Sequence, residues 1–167
     1  MSYEIASPLH IVSAFTALFS GALVFFLFKG TRLHKLLGYV YVTSMATLNF
    51  SAFFIYRLTG QFGPFHGAAL ASFLTLTVGF IPALRRKPHG QWLDLHYYCM
   101  CWSYAGLLAA GASEALTRIP ESPFWPAVLA ASLLVFFVSG ALIFRRTPKD
   151  LLRHGFLRVE SESANPR

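Results

Sequence analysis

Apolar residues gather along this chain into five long blocks, at residues 8–28, 33–56, 64–84, 92–116 and 125–144, with short polar or basic breaks between them. An α-helix rises about 1.5 Å per residue, so roughly twenty apolar residues cross the hydrocarbon core of a bilayer. All five blocks reach that length, and the pattern predicts five transmembrane helices. Their boundaries carry helix signals. Ser7 and Thr31 suit N-caps, and Pro8, Pro64 and Pro126 suit a first helical turn, where a missing N–H is harmless. Pro82, near the end of the third block, predicts a kink or a stop. The expected fold is all-α, a polytopic membrane protein with a single transmembrane domain over residues 1–144. Residues 145–167 read as a basic tail. Within it Leu151, Leu152, Phe156 and Leu157 have the spacing of a short amphipathic surface helix, and residues 160–167 read as disordered.

Composition sharpens this picture. Of 167 residues, 55% are hydrophobic and only 13% are charged, too little polar surface for a soluble domain of this length. The N-terminal residues lack a positive region and the first block is too long for a secretory signal, so a retained helix is expected. The net charge of +7 is unevenly spread. Lys29, Arg32 and Lys35 flank the first break, Arg85, Arg86 and Lys87 fill the third, and Arg145, Arg146, Lys149, Arg153, Arg158 and Arg167 follow the fifth block. The opposite side has only Arg57 and Arg118, with Glu4, Glu114 and Glu121 nearby. This is the charge bias that orients membrane proteins, not a nucleic-acid patch. It places the N-terminus outside and the tail in the cytoplasm.

The polar exceptions inside the blocks form a repeat. Ser7-Pro8-Leu9-His10 and Gly63-Pro64-Phe65-His66 open the first and third blocks, and His34 and His96 open the second and fourth after basic breaks. The chain thus reads as two helical hairpins running in the same sense, related by an axis along the membrane normal. They would form a four-helix core, with the fifth helix as an accessory on the outside. The axis would bring His10 near His66 at the outer face and His34 near His96 at the inner face. Ionisable side chains in a bilayer are costly and mark functional paths. Imidazole pairs facing across a bundle suit haem iron, zinc or copper. Small residues share the histidine faces, Ala14, Ala17 and Gly21 with His10, Gly38 with His34, and Cys99, Ser103, Gly106 and Ala110 with His96. They could admit a macrocycle, and they are equally an ordinary helix-packing surface. Interfacial histidines bonding to headgroups are the plain alternative.

Other polar groups are less telling. His89 and His154 lie in a basic loop and in the tail, and read as surface residues. Cys99 and Cys101 cannot build a disulfide framework, and residues two apart on a helix point to different faces, so both read as packing residues rather than copper(I) ligands. Glu114 shares the His96 face and reads either as a proton relay or as the partner of Arg57, with Asn49 nearby. Tyr39, Tyr41, Tyr97, Tyr98, Tyr104, Trp92 and Trp102 read as an interfacial aromatic belt.

Residues 30–42, with the motif Gly30-Thr31-Arg32-Leu33-His34 followed by Gly38 and Tyr39, together with His66 and His96-Tyr97-Tyr98-Cys99-Met100, resemble a family of bacterial predicted membrane proteins, domain of unknown function 2306. The resemblance covers about residues 9–116 and implies an integral protein of the bacterial inner membrane. The layout of four histidines is also similar to transmembrane diheme b-type cytochromes of the ascorbate and ferric reductase type. By position, that likeness implies an outer haem on His10 and His66 and an inner haem b on His34 and His96. Lys35, Arg32 and Arg86 would then sit near inner propionates, and Arg57 near outer ones. The first functional expectation is therefore a b-type haem electron-transfer protein or small oxidoreductase drawing on quinol or another small reductant. The second is a haem-free zinc or copper site on the same histidines, in a carrier or a metal-dependent membrane enzyme. The third is a structural or assembly protein without cofactor.

Overall fold

A computed structural model describes residues 3–55, 60–88 and 91–145. It is all-α, with α1 at Tyr3–Phe26, α2 at Arg32–Ala52, α3 at Pro64–Arg85, α4 at Trp92–Thr117 and α5 at Phe124–Phe144. Three of them, α1, α3 and α5, are long and apolar enough to cross a membrane by length and composition. The other two interrupt their apolar runs with polar and aromatic residues, among them Lys35 and Asn49 in α2 and Asp94 and Glu114 in α4.

Consecutive helices pack side by side, α1 on α2, α2 on α3 and α3 on α4, and α4 closes the ring against α1. The diagonals, α1 with α3 and α2 with α4, make no close backbone approach among the described residues. Ala17, Tyr41, Met45, Leu48, Leu76 and Leu107 fill the centre. The bundle is inside-out by the standards of a water-soluble protein. Phe15, Phe19, Leu133 and Phe137 are exposed, while Ser13, Ser20, Asn49, Ser51, Ser103 and Ser113 are buried. Hydroxyls on outward faces close onto their own helix, as Thr43 Oγ1 donates to the Tyr39 carbonyl at 2.9 Å and Thr75 Oγ1 to the Ala71 carbonyl at 2.8 Å. A hydrocarbon surrounding demands this, because it offers polar groups no other partner.

Two polar contacts tie the ring together at mid-height. Tyr41 Oη lies 2.9 Å from Ser103 Oγ across the α2–α4 diagonal, and Tyr104 Oη donates to the Leu18 carbonyl at 3.1 Å. One edge of the Tyr104 ring lies against Gly21, where a Cβ would stand 2.5 Å from it. Both tyrosines thus belong to the core, not to an interfacial belt. The fifth helix packs mainly on α4, with Phe65 of α3 stacking on Trp125 at 6.1 Å at one end. Ser113 Oγ meets Ser132 Oγ at 3.2 Å, Tyr97 Oη donates to the Ile143 carbonyl at 3.1 Å, and Trp102 rests on Gly140.

Most helix boundaries fall within a residue or two of the apolar blocks, with two corrections. The first helix starts at Tyr3, so Ser7 is no cap and Pro8 lies inside it. The carbonyl that Pro8 leaves unbonded belongs to Glu4 at the exposed end, and buried Ala6 packs the extra turn in place. The second helix ends at Ala52 rather than at residue 56. Phe53, Phe54 and Ile55 each donate three residues back, to Phe50, Ser51 and Ala52, and so tighten the last turn into a close. Thr31 does cap α2, its Oγ1 accepting the His34 N–H at 3.2 Å, and Pro64 opens α3. Pro82 does not stop α3, which runs on to Arg85. Arg57, His89, His154 and the expected tail helix lie outside the described residues.

Candidate functional site at the two ends of the bundle

The antiparallel ring places His10 and His66 at one end, on α1 and α3, and His34 and His96 at the other, on α2 and α4. Each pair therefore occupies a diagonal. Their ring nitrogens differ in ways that decide which can act as ligands.

At the first end, Ser51 Oγ donates its one proton to the Leu48 carbonyl at 2.9 Å. It therefore accepts from His10 Nδ1–H at 3.0 Å, which leaves the lone pair of neutral His10 on Nε2. His66 has the opposite tautomer. Its Nδ1 accepts the Gly63 N–H at 3.2 Å while the His66 backbone N–H donates to the Gly63 carbonyl at 3.0 Å, a reciprocal cap on α3. Nε2 then carries the ring proton. Phe62 stacks on this ring at 5.1 Å and Phe53 approaches it at 6.1 Å. The Glu114 carboxylate is near enough for its field to reach His10, and it is held by Arg118 one turn along α4. The expected Arg57–Glu114 pairing involves Arg57, which lies outside the described residues.

At the second end, His96 Nδ1–H donates to the Gly79 carbonyl at 3.0 Å, leaving its Nε2 lone pair available. That bond exists because α3 and α4 touch closely at Gly79, where a Cβ would stand 2.8 Å from Cys99 Cβ and 3.3 Å from the Met100 backbone nitrogen. Cys99 is thus a packing residue in this seam, and Cys101 is buried in α4. His34 lies within the electrostatic reach of Lys29, His96 and Lys35. Its Nδ1 is buried and has no hydrogen-bond partner among the described residues. One turn further along α2, a Cβ at Gly38 would meet nothing within 4 Å. Lys29 sits nearby, its Nζ donating to the Val24 carbonyl at 2.7 Å and lying over the Phe25 ring.

Spacing alone sorts these histidines to the two ends of the bundle, but the tautomers come from tertiary contacts that no spacing encodes. Haem held by two histidines needs two imidazoles with lone pairs free and oriented by the other nitrogen. At the His34–His96 end one ring, His96, is oriented in this way, and His34 contributes a buried nitrogen with no hydrogen-bond partner among the described residues. The His10–His66 end does not fit as it stands, because His66 spends its acceptor nitrogen on Gly63. Among the described residues no three His, Cys, Asp or Glu side chains converge as a zinc or copper site would require.

An all-α bundle with an apolar exterior, buried hydroxyls and histidines at both ends defines a membrane protein. The chain belongs to the family described as predicted membrane protein (DUF2306), which matches residues 8–144. No curated protein and no solved structure matches it.

Proposed function

We propose that this protein spans the bacterial inner membrane five times, N-terminus outside, and holds a haem b between His34 and His96 as an electron-transfer centre. The observation that carries the reading is the Gly79 carbonyl. It fixes the His96 tautomer and leaves the ring's other nitrogen free to ligate, across a diagonal from a histidine whose Nδ1 is buried and has no hydrogen-bond partner among the described residues. When bound, the haem would supply one-electron chemistry in the hydrocarbon. The residues do the rest. Gly79 orients His96, Gly38 leaves space beside His34, and the cations Lys29, Arg32 and Lys35 at this end offset the propionate charge. Quinol or another small reductant is the proposed donor.

A structural reading is favoured at the other end, where the cap on Gly63 and the flanking Phe62 and Phe53 already account for His66. The absorbance spectrum of the full-length protein, purified after expression with ample haem, tests both readings. One low-spin haem b per chain is the expected result. Two would recruit His10 and His66 as well, and none would reject the cofactor.

Orientation has its own test. Reporter fusions after Arg146 should read as cytoplasmic and fusions in the loop at residues 59–63 as external, because Lys and Arg bias sets topology. An external C-terminus would overturn both the span count and the placement of the histidine pairs.

A further inference from the structure

Two open cavities lie on the outward side of α3. One, about 530 Å³, is lined by Ile81, Pro82, Arg85, Lys87 and Pro88. The other, about 440 Å³ and almost wholly apolar, is lined by Leu70, Phe73, Leu74 and Thr77 among others. Positions 70, 74, 77, 81 and 85 are spaced by three or four residues, so they form one stripe along the helix and the two cavities follow it in succession. From Ile81 to Leu70 the stripe is about 16 Å long at the helical rise. That is roughly the depth of one leaflet, half of the ~30 Å hydrocarbon core.

The two ends of the stripe differ in chemistry. Arg85 and Lys87 make no ion pair or side-chain hydrogen bond among the described residues, and no carboxylate lines their cavity. The apolar end makes no polar demand, because Thr77 Oγ1 already donates to the Phe73 carbonyl at 2.8 Å. The turn that presents the cations is built from Pro82, whose carbonyl accepts the N–H groups of Arg86 and Lys87, with Arg86 left-handed at φ 51°.

We infer that this stripe is a binding site for an anionic phospholipid, its phosphate between Arg85 and Lys87 and one acyl chain along Ile81, Thr77, Leu74 and Leu70. Charge complementarity selects an anionic headgroup, and a groove one leaflet deep selects a lipid over a small soluble anion. The site is independent of the histidine pairs and stands whether or not haem is bound.

The test uses the full-length protein in vesicles of equal phosphatidylglycerol and phosphatidylcholine, extracted in mild detergent, with retained lipid counted by native mass spectrometry. Phosphatidylglycerol should be retained preferentially. Arg85→Gln with Lys87→Gln should lower its retention roughly tenfold to thirtyfold, the weight of two interfacial cations. Leu74→Trp should lower retention of lipid by filling the groove, and Arg145→Gln, a cation elsewhere on the same face, should leave retention unchanged. Helicity by circular dichroism verifies that each variant is folded. Equal retention of both lipids, an unaffected double variant, or an Arg145→Gln loss as large as that of the double variant would overturn the site. Displacement of phosphatidylglycerol by millimolar inorganic phosphate would overturn it too, in favour of a free-anion site.

Discussion

His96→Ala should abolish the low-spin absorbance of the proposed haem, and His34→Ala should convert it toward high spin with lower haem retention. These are the largest effects expected, since on the proposed reading each removes one of the two histidines that would hold the haem. His96 should be the more severe, because its ring is the one held in ligating orientation by the Gly79 carbonyl. His66→Ala should leave that spectrum in place and instead cost about 1 kcal/mol of stability, the usual weight of a helix cap. His89→Ala and His154→Ala should change neither, as both belong to the basic loop and tail. Absorbance and pyridine-haemochrome assays on the set decide the matter. A His96→Ala protein with the wild-type spectrum would remove the site.

Gly79→Ala is expected to damage both stability and site through one methyl group. The new Cβ would stand 2.8 Å from Cys99 Cβ, an atom fixed to the α4 backbone that no rotamer change can move. The α3–α4 seam must open, and overpacking of this kind costs about 1–3 kcal/mol. Because the same residue's carbonyl holds the His96 ring, the spectrum should shift along with the melting temperature. Gly111→Ala provides the contrast. Its Cβ would meet nothing within 4 Å, so the exchange should be neutral or stabilise the helix by up to about 1 kcal/mol. Equal melting temperatures for Gly79→Ala and Gly111→Ala would show that the seam is looser than this packing implies.

Different parts of this molecule are legible in the sequence to different degrees. The third to fifth helices could be read almost residue by residue, because Pro64, the Arg85–Lys87 run and the Pro120–Pro123 break coincide with real ends. The end of α2 could not, because no glycine or proline marks the turn at Phe53–Ile55 and the apolar run continues through it. Pro8 misled in the opposite sense, since proline tolerates a place inside a helix when the carbonyl it strands lies at an exposed end. Spacing sufficed to sort the four histidines between two ends. It could not reveal that His66 turns its acceptor nitrogen to Gly63, nor that Gly79, seventeen residues before His96, would orient that ring. Tyr41 and Tyr104 were indistinguishable from belt residues because composition does not tell which side of a helix faces its neighbours.

The ring order of the helices has a consequence for biogenesis. Apart from the closing α1–α4 contact, neighbours in the ring are neighbours in sequence, so each of these pairs can form as soon as its second helix has been made. The diagonals cannot. His34 and Tyr41 emerge on the second helix, while Ser103, the partner of Tyr41, and His96, at the same end of the bundle as His34, arrive two helices later. Until the fourth helix is made, the nascent chain carries a core phenol with nothing across from it. Completion of α4 is therefore the step that closes the polar core, and a chain truncated before Trp92 would leave Tyr41 without its Ser103 contact and α1 without the Tyr104 bond to Leu18.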